Sequence, residues 1–266
     1  MKLTHYENQA CPFALRGDDE ITFSVLVRIL GIPCSHIFTD HENVMICLSA
    51  RLYPVWVWCR DEGDAQAVAA IADCLKRHFP PSEGYRYNMS YGMLESLHRA
   101  DAAFAGMKIA VNMLSYRLDE LLPVTHPCEG RMEAATMDML GELAAHLHNA
   151  VFEMEHIDRP IEECRKTLAE KIEAGLQFVW RNGKGELAAM TSYRPIEAYG
   201  GVTGVYTLPA HRRRGYAMNL VHGVTQVVLG KGLLPILYTD ADYGASNACY
   251  QKIGYRQVGS LCTVAE

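Results

Sequence analysis

Val205-Tyr206-Thr207-Leu208-Pro209-Ala210-His211-Arg212-Arg213-Arg214-Gly215-Tyr216-Ala217 is the stretch on which the fold turns. Gly201–Thr207 reads as a strand from its β-branched and aromatic content. Downstream, Ala217, Leu220, Val221, Val224, Val227 and Val228 share one helical face, and Gly230 and Gly232 end the run. A strand, a basic loop with a glycine and a helix start make an anion site. The first helical turn has unpaired N–H groups and a dipole that favours negative charge. Gly215 admits a ligand close to the backbone, and Ala217 keeps the first turn narrow. Successive loop N–H groups can form a nest for a pyrophosphate, to which the arginines add charge and fork-shaped donors.

A second stretch lies about 30 residues further on. Leu234–Thr239 reads as a buried strand, followed by Ser246-Asn247-Ala248-Cys249-Tyr250-Gln251-Lys252-Ile253-Gly254-Tyr255. Asn247 and Tyr250 are three apart and share a helix face. Gly254 suits a left-handed helix end.

The two stretches together resemble the GNAT acetyltransferases. Arg212–Ala217 matches the motif Arg/Gln-x-x-Gly-x-Gly/Ala between a strand and a helix, and Asn247 through Tyr255 is similar to the closing motif. The match covers roughly 130–266, and the whole chain resembles two-domain bacterial members with an N-terminal extension. The resemblance implies a mixed twisted sheet flanked by helices. It also implies acetyl-CoA as co-substrate, its pantetheine arm along Val205, Tyr206 and Thr207, and its pyrophosphate on Arg212, Arg213, Arg214, Gly215, Tyr216 and Ala217. Asn247 would hydrogen-bond the cofactor, with a helix cap as its other reading. Tyr250 would protonate the departing thiolate, which a phenol of pKa about 10 can do at neutral pH. Its other reading is packing of the helix on the sheet. The implied activity is direct transfer of acetyl to a small-molecule or protein amine; a non-catalytic acyl-CoA binding or sensing module is the alternative. Members of the family place a glutamate on the fourth strand, yet Gly201–Thr207 contains no acid. The base is therefore unassigned, with Glu197, Glu153, Asp240 or a water chain as candidates by location.

Outward from these motifs, Pro123 to Gly130 carries two prolines and a glycine, a linker signal that divides an α+β domain at 1–122 from the GNAT domain at 128–266. The C-terminal part opens with a possible strand at Arg131–Thr136 and a helix striped by Leu140, Leu143, Ala144, Leu147 and Val151. A helix from Pro160 to Ala174 follows, then strands Gln177–Arg181 and Glu186–Tyr193 joined by an Asn182-Gly183 turn. The N-terminal part shows a helix over 20–30, paired strands at Val44–Leu48 and Tyr53–Trp58, helices over Asp64–His78 and Gly92–Phe104, and an extended segment at Lys108–Tyr116. Pro54 marks an edge strand or a strand start. This α/β make-up suits a degenerate GNAT-like half, which two-domain members commonly have. No sequence repeat is visible, and 1–120 holds no loop like Arg212–Ala217, so one cofactor site is expected.

Composition narrows the class. The chain has 266 residues, 25 basic and 31 acidic, and a net charge of -6, which speaks against nucleic-acid binding. No apolar run approaches the ~20 residues of a membrane span, and Met1–Glu7 lacks a signal-peptide core, so a cytoplasmic enzyme is expected. Nine cysteines at 11, 34, 47, 59, 74, 128, 164, 249 and 262 show no zinc or redox spacing and read as buried thiols in a reducing compartment. His146 and His148, two apart on a helix, point about 200° from each other and cannot chelate together. No metal is expected. Trp56 and Trp58 share a strand face and read as packing.

Overall fold

The computed structural model describes residues 1–7, 11, 13–32, 35–155 and 158–266. Strand β1 (Thr4–Glu7) precedes two short helices, α1 (Asp18–Thr22) and α2 (Ser24–Leu30). A single helix was expected there; Phe23, at φ -112° and ψ 28°, interrupts it. Strands β2 (His36–Thr39), β3 (Val44–Leu48) and β4 (Val55–Cys59) form an antiparallel meander. Pro54 stands just ahead of β4, where its missing N–H costs no ladder bond, so β4 can be interior and pair with strands on both sides. Helix α3 (Ala65–His78) opens on Asp64, whose carboxylate accepts from Gln66 N at 2.8 Å. After β5 (Tyr87–Met89), helix α4 (Tyr91–Ala100) stops short of the expected Phe104, because extended Asp101 caps a separate 3₁₀ turn. Strand β6 (Lys108–Leu118) follows.

The second half contains β7 (Arg131–Ala134), α5 (Leu140–Glu155), α6 (Ile161–Glu173), β8 (Gln177–Arg181), β9 (Leu187–Ile196) and β10 (Tyr199–Thr207). It continues with α7 (Tyr216–Gly230), β11 (Leu234–Asp240), α8 (Gly244–Ile253) and β12 (Tyr255–Ala265). Asn182 ties the β8–β9 turn by accepting from Lys184 N and Glu186 N at 2.9 and 3.0 Å. Each half thus runs β-α-α-β-β-β-α-β-α-β. The order of elements repeats where the sequence does not.

The chain divides into two compact units. Unit 1 holds 1–116, 239–244 and 257–266; unit 2 holds 117–238 and 245–256. The sheet of unit 1 runs β1-β2-β3-β4-β5-β12-β6, and that of unit 2 runs β11-β10-β9-β8-β7. Both are mixed. Each contains a parallel pair, β4/β5 and β10/β11, whose crossover is a helix, α3 and α7 respectively.

These bounds differ from the division at 123–130. The last strand belongs to unit 1, where Cys262 pairs with Met89. Residues 126–130 are fastened within unit 2: Asn219 Nδ2 donates to His126 O at 3.1 Å and Trp180 Nε1 to Glu129 O at 3.1 Å. Prolines mark irregular backbone there, and these bonds make it part of the unit.

In unit 1, α3 and α4 bury Val68, Ile71, Leu75, Met93 and Leu97 against Val55, Val57 and Tyr87. Trp56 and Trp58 are buried in the same unit, Trp56 edge-on to Phe23 and Trp58 donating to Asp19 at 3.0 Å. In unit 2, Leu143, Ala144, Leu168 and Ile172 pack on Val179, Met190 and Tyr206. Six cysteines are buried and Cys128 and Cys249 partly so, while Cys34 lies outside the described residues. Among the described residues no helix is long and apolar enough to cross a membrane.

Candidate functional site

The site is built on β10 of unit 2. Its first residues, Tyr199–Val202, pair with Leu234–Leu237 of β11. The strand then bulges between Thr203 and Tyr206, where Gly204 takes φ +64°, and continues beside β9 alone. N–H groups of an extended strand alternate in direction. Leu208 N donates to Ala188 O on the β9 side, so Val205 and Thr207 present theirs toward the opposite, opened edge. Tyr206, by the same alternation, turns its backbone toward β9.

The loop after β10 ends in a nest. Arg213 has φ +61° and Gly215, the residue before α7, has φ +83°. Among the described residues no backbone acceptor meets the N–H groups of Arg213, Arg214, Gly215, Tyr216 or Ala217. Asn219 is buried and donates to Gly215 O at 3.0 Å, holding the turn from behind. Arg213 and Arg214 are exposed; Tyr216 is buried, its ring edge-on to His211. Among the described residues His211 Nδ1 is buried without a partner, and His211 lines a cleft of about 490 Å³ between α5 and Leu208–His211. An orphaned ring nitrogen beside a row of open N–H groups fits a phosphate-bearing ligand.

Arg212 stands apart from its neighbours. Its guanidinium donates to Glu153 at 2.6 Å and to Thr207 O at 3.1 Å, and it lies over the Tyr206 ring. Tyr206 OH donates to the same carboxylate at 3.1 Å. The Arg212 hydrogen bond, with help from Tyr206, holds the Glu153 carboxyl below its ordinary range. Glu153 is therefore a clamp for Arg212, and a weak base. Glu197 is exposed at the opposite end of β10, and Asp240 belongs to unit 1, where it accepts from Asp242 N at 2.8 Å.

Tyr250 and Asn247 lie on α8. The Tyr250 ring is buried edge-on to Tyr255, whose hydroxyl meets Thr225 of α7 at 2.8 Å. Packing and proton donation are both open to it.

One group escaped sequence reasoning. Lys171 Nζ donates to Ser192 Oγ at 2.9 Å, and Ser192 Oγ in turn lies 3.4 Å from Thr203 O at the bulge. Burial, with Arg194 and Arg159 nearby, pushes the Lys171 amine down to about 8. The signal was present: α6 buries Cys164, Leu168 and Ile172, and Lys171 falls three residues after Leu168 on that stripe.

The fold has solved counterparts. An acetyltransferase of the GNAT family from Colwellia psychrerythraea superposes with a TM-score of 0.59 at 14% identity, covering 99% of this chain and 98% of that one. A GCN5-related N-acetyltransferase from Sphaerobacter thermophilus gives 0.65 at 15%, covering 91% and 84%. Another from Kribbella flavida gives 0.62 at 14%, covering 95% and 96%. Residues 179–264 match the family model described as FR47-like protein.

This chain has the GNAT fold. No curated protein matches it. Within the GNAT topology β10 is the fourth strand of its unit and α7 the helix that follows it. The equivalent loop of unit 1, Arg60–Asp64, carries Asp61, Glu62 and Asp64. Two of its carboxylates bond to nearby backbone: Asp61 accepts from Gly63 N at 2.9 Å, and Asp64 from Gln66 N in the first turn of α3. Carboxylates occupy the place where the GNAT loop of unit 2 leaves open donors.

Proposed function

We propose that this chain is an N-acetyltransferase that moves acetyl directly from acetyl-CoA to an amine, with one cofactor site per chain in unit 2. The observation that carries the reading is the nest: five open N–H groups, two left-handed residues and two exposed arginines at the start of α7. Bound acetyl-CoA supplies an activated thioester. The N–H groups of Arg213–Ala217 would hold its pyrophosphate, and Val205 and Thr207 would pair with its amide-bearing arm along the opened edge of β10. Backbone donors fixed there would also stabilise negative charge forming on the acyl oxygen. Tyr250 would give a proton to the departing thiolate and Asn247 would hold the cofactor from α8. Lys171, neutral in part near neutral pH, would take the proton of the incoming ammonium through Ser192. Small-molecule amines suit this arrangement best, and a protein amine is the second acceptor class.

Calorimetric titration with acetyl-CoA tests the reading. A single site is expected, lost in Gly215→Val, because an L side chain at φ +83° is strained and presses on Asn219 and His126 behind the turn, which shifts the nest. Unchanged affinity in the variant would remove the loop from the site. Tight binding without turnover across an amine panel would identify an acyl-CoA sensing module instead.

A further inference from the structure

Unit 1 carries a second constellation, unused by acyl transfer. Strands β1 and β2 pair antiparallel with His5 opposite Phe38 and Glu7 opposite His36. Directly opposed residues share a face, and so do residues two apart on one strand. His5, Glu7, His36 and Phe38 therefore project from one side of this two-strand ribbon. His36 lies thirty-one positions after His5, so no short metal motif is visible in the sequence.

The geometry points to a divalent transition-metal site formed by His5, Glu7 and His36. His5 Nε2 lies 3.4 Å from His36 Nδ1, and Glu7 Oε1 lies 3.9 Å from the same nitrogen. One ligand atom from each residue falls within 4.8 Å of the others. Metal–nitrogen bonds of about 2.0–2.1 Å in tetrahedral geometry set two ligand nitrogens roughly 3.3 Å apart, so the imidazoles already stand at the required spacing. The glutamate closes the remaining gap by a side-chain rotation. Two imidazoles and a carboxylate suit Zn²⁺ and its neighbours, and disfavour Ca²⁺ and Mg²⁺, which take oxygen ligands.

The surroundings hold the ligands in place. The His5 ring stacks on Phe38 with centroids 4.1 Å apart and planes 2° from parallel, which fixes its ring plane. His78, at the end of α3, brings a third imidazole with its centroid 6.0 Å from that of His5. Three protein ligands leave a fourth position for solvent, and His5 and His36 also line a cleft of about 260 Å³ with Tyr85 and Arg51. The Arg51 guanidinium bonds to Glu83 O and lies 3.8 Å from the Tyr85 ring centroid, so its charge is engaged beside the site. An ion here would tie β1, the first strand of the unit 1 sheet, to β2 by side chains as well as by backbone.

The test uses the full chain after dialysis against a chelator. Native mass spectrometry with added Zn²⁺ is expected to show one ion per chain, and Co²⁺ to give the intense visible bands of a tetrahedral site. The His5→Gln/His36→Gln double variant should lose at least about tenfold in Zn²⁺ affinity and lose the Co²⁺ bands. Glu7→Gln keeps both rings and should weaken binding by a smaller factor; Glu7 is exposed, so this variant stands if the double one misfolds. A wild-type chain that takes up no stoichiometric ion overturns the proposal. So does unchanged affinity in Glu7→Gln and in any folded form of the double variant.

Discussion

Lys171→Met isolates the most unusual charge in unit 2. Methionine keeps the unbranched stem that packs beside Leu168 and Ile172, and it removes the ammonium. In the folded chain the amine falls from 10.5 to about 8. At about 1.4 kcal/mol per pH unit this is a ceiling of roughly 3 kcal/mol, reduced to the extent that solvent reaches Nζ. Below pH 8 the lysine is protonated in both folded and unfolded chains, and the cost of burying the charge is fully present. Between about pH 8 and 10.5 the folded amine has lost its proton while the unfolded one keeps it, so wild-type stability rises with pH across that window. The hydrogen bond to Ser192 offsets about 1 kcal/mol. Lys171→Met should therefore be more stable than wild type by about 1–2 kcal/mol at pH 7, and no more stable at pH 10.5. Urea titrations at the two pH values, followed by circular dichroism, read the difference directly. A variant less stable than wild type at pH 7, by an amount that does not change with pH, would refute the buried-amine reasoning. If Lys171 takes the substrate proton, the wild-type rate rises through pH 8 and that limb disappears in the variant.

Tyr250→Phe should lower turnover by roughly 10²–10⁴-fold with acetyl-CoA affinity little changed, measured by thiol release under saturating amine; wild-type turnover would leave Tyr250 as a packing residue. Glu153→Gln should change turnover by less than about tenfold, since that carboxylate clamps Arg212, and a larger loss would restore it as a base. The Glu153 carboxyl is held low, so its support for the fold is present above its ordinary range and lost as pH falls through the folded value; acid titration of wild type against Glu153→Gln reads this. Equilibrium dialysis should give one acetyl-CoA per chain, because the unit 1 loop carries carboxylates at its helix start, where Asp61 and Asp64 accept from Gly63 N and Gln66 N; two per chain would overturn that account.

Particular residues show how far one-dimensional reading reaches. The loop from Arg212 to Ala217 was legible because it depends on neighbouring residues: a glycine able to take φ +83°, a helix start and clustered charge. Helix α3 was legible for the same reason, from Asp64 at its cap to the stripe of Val68, Ile71 and Leu75. The role of Arg212 was not. Its partner Glu153 lies fifty-nine residues earlier, and the ion pair exists only where the end of α5 meets the loop after β10.

By itself the sequence determined the α/β class, the resemblance to GNAT proteins and the strand, loop and helix start around Arg212–Ala217, since each rests on short-range periodicity, turn chemistry and motif spacing. Tertiary structure alone decided that 1–118 repeats the element order of 131–265, because packing conserves topology while surface and core residues diverge. It alone assigned the last strand to unit 1, since a strand's partner is chosen by edge and register, as where Cys262 meets Met89. It alone brought Lys171 to Ser192 and His5 to His36. Such chemistry arises from side chains distant in the chain and held close by the sheet, a distance that composition and spacing do not encode.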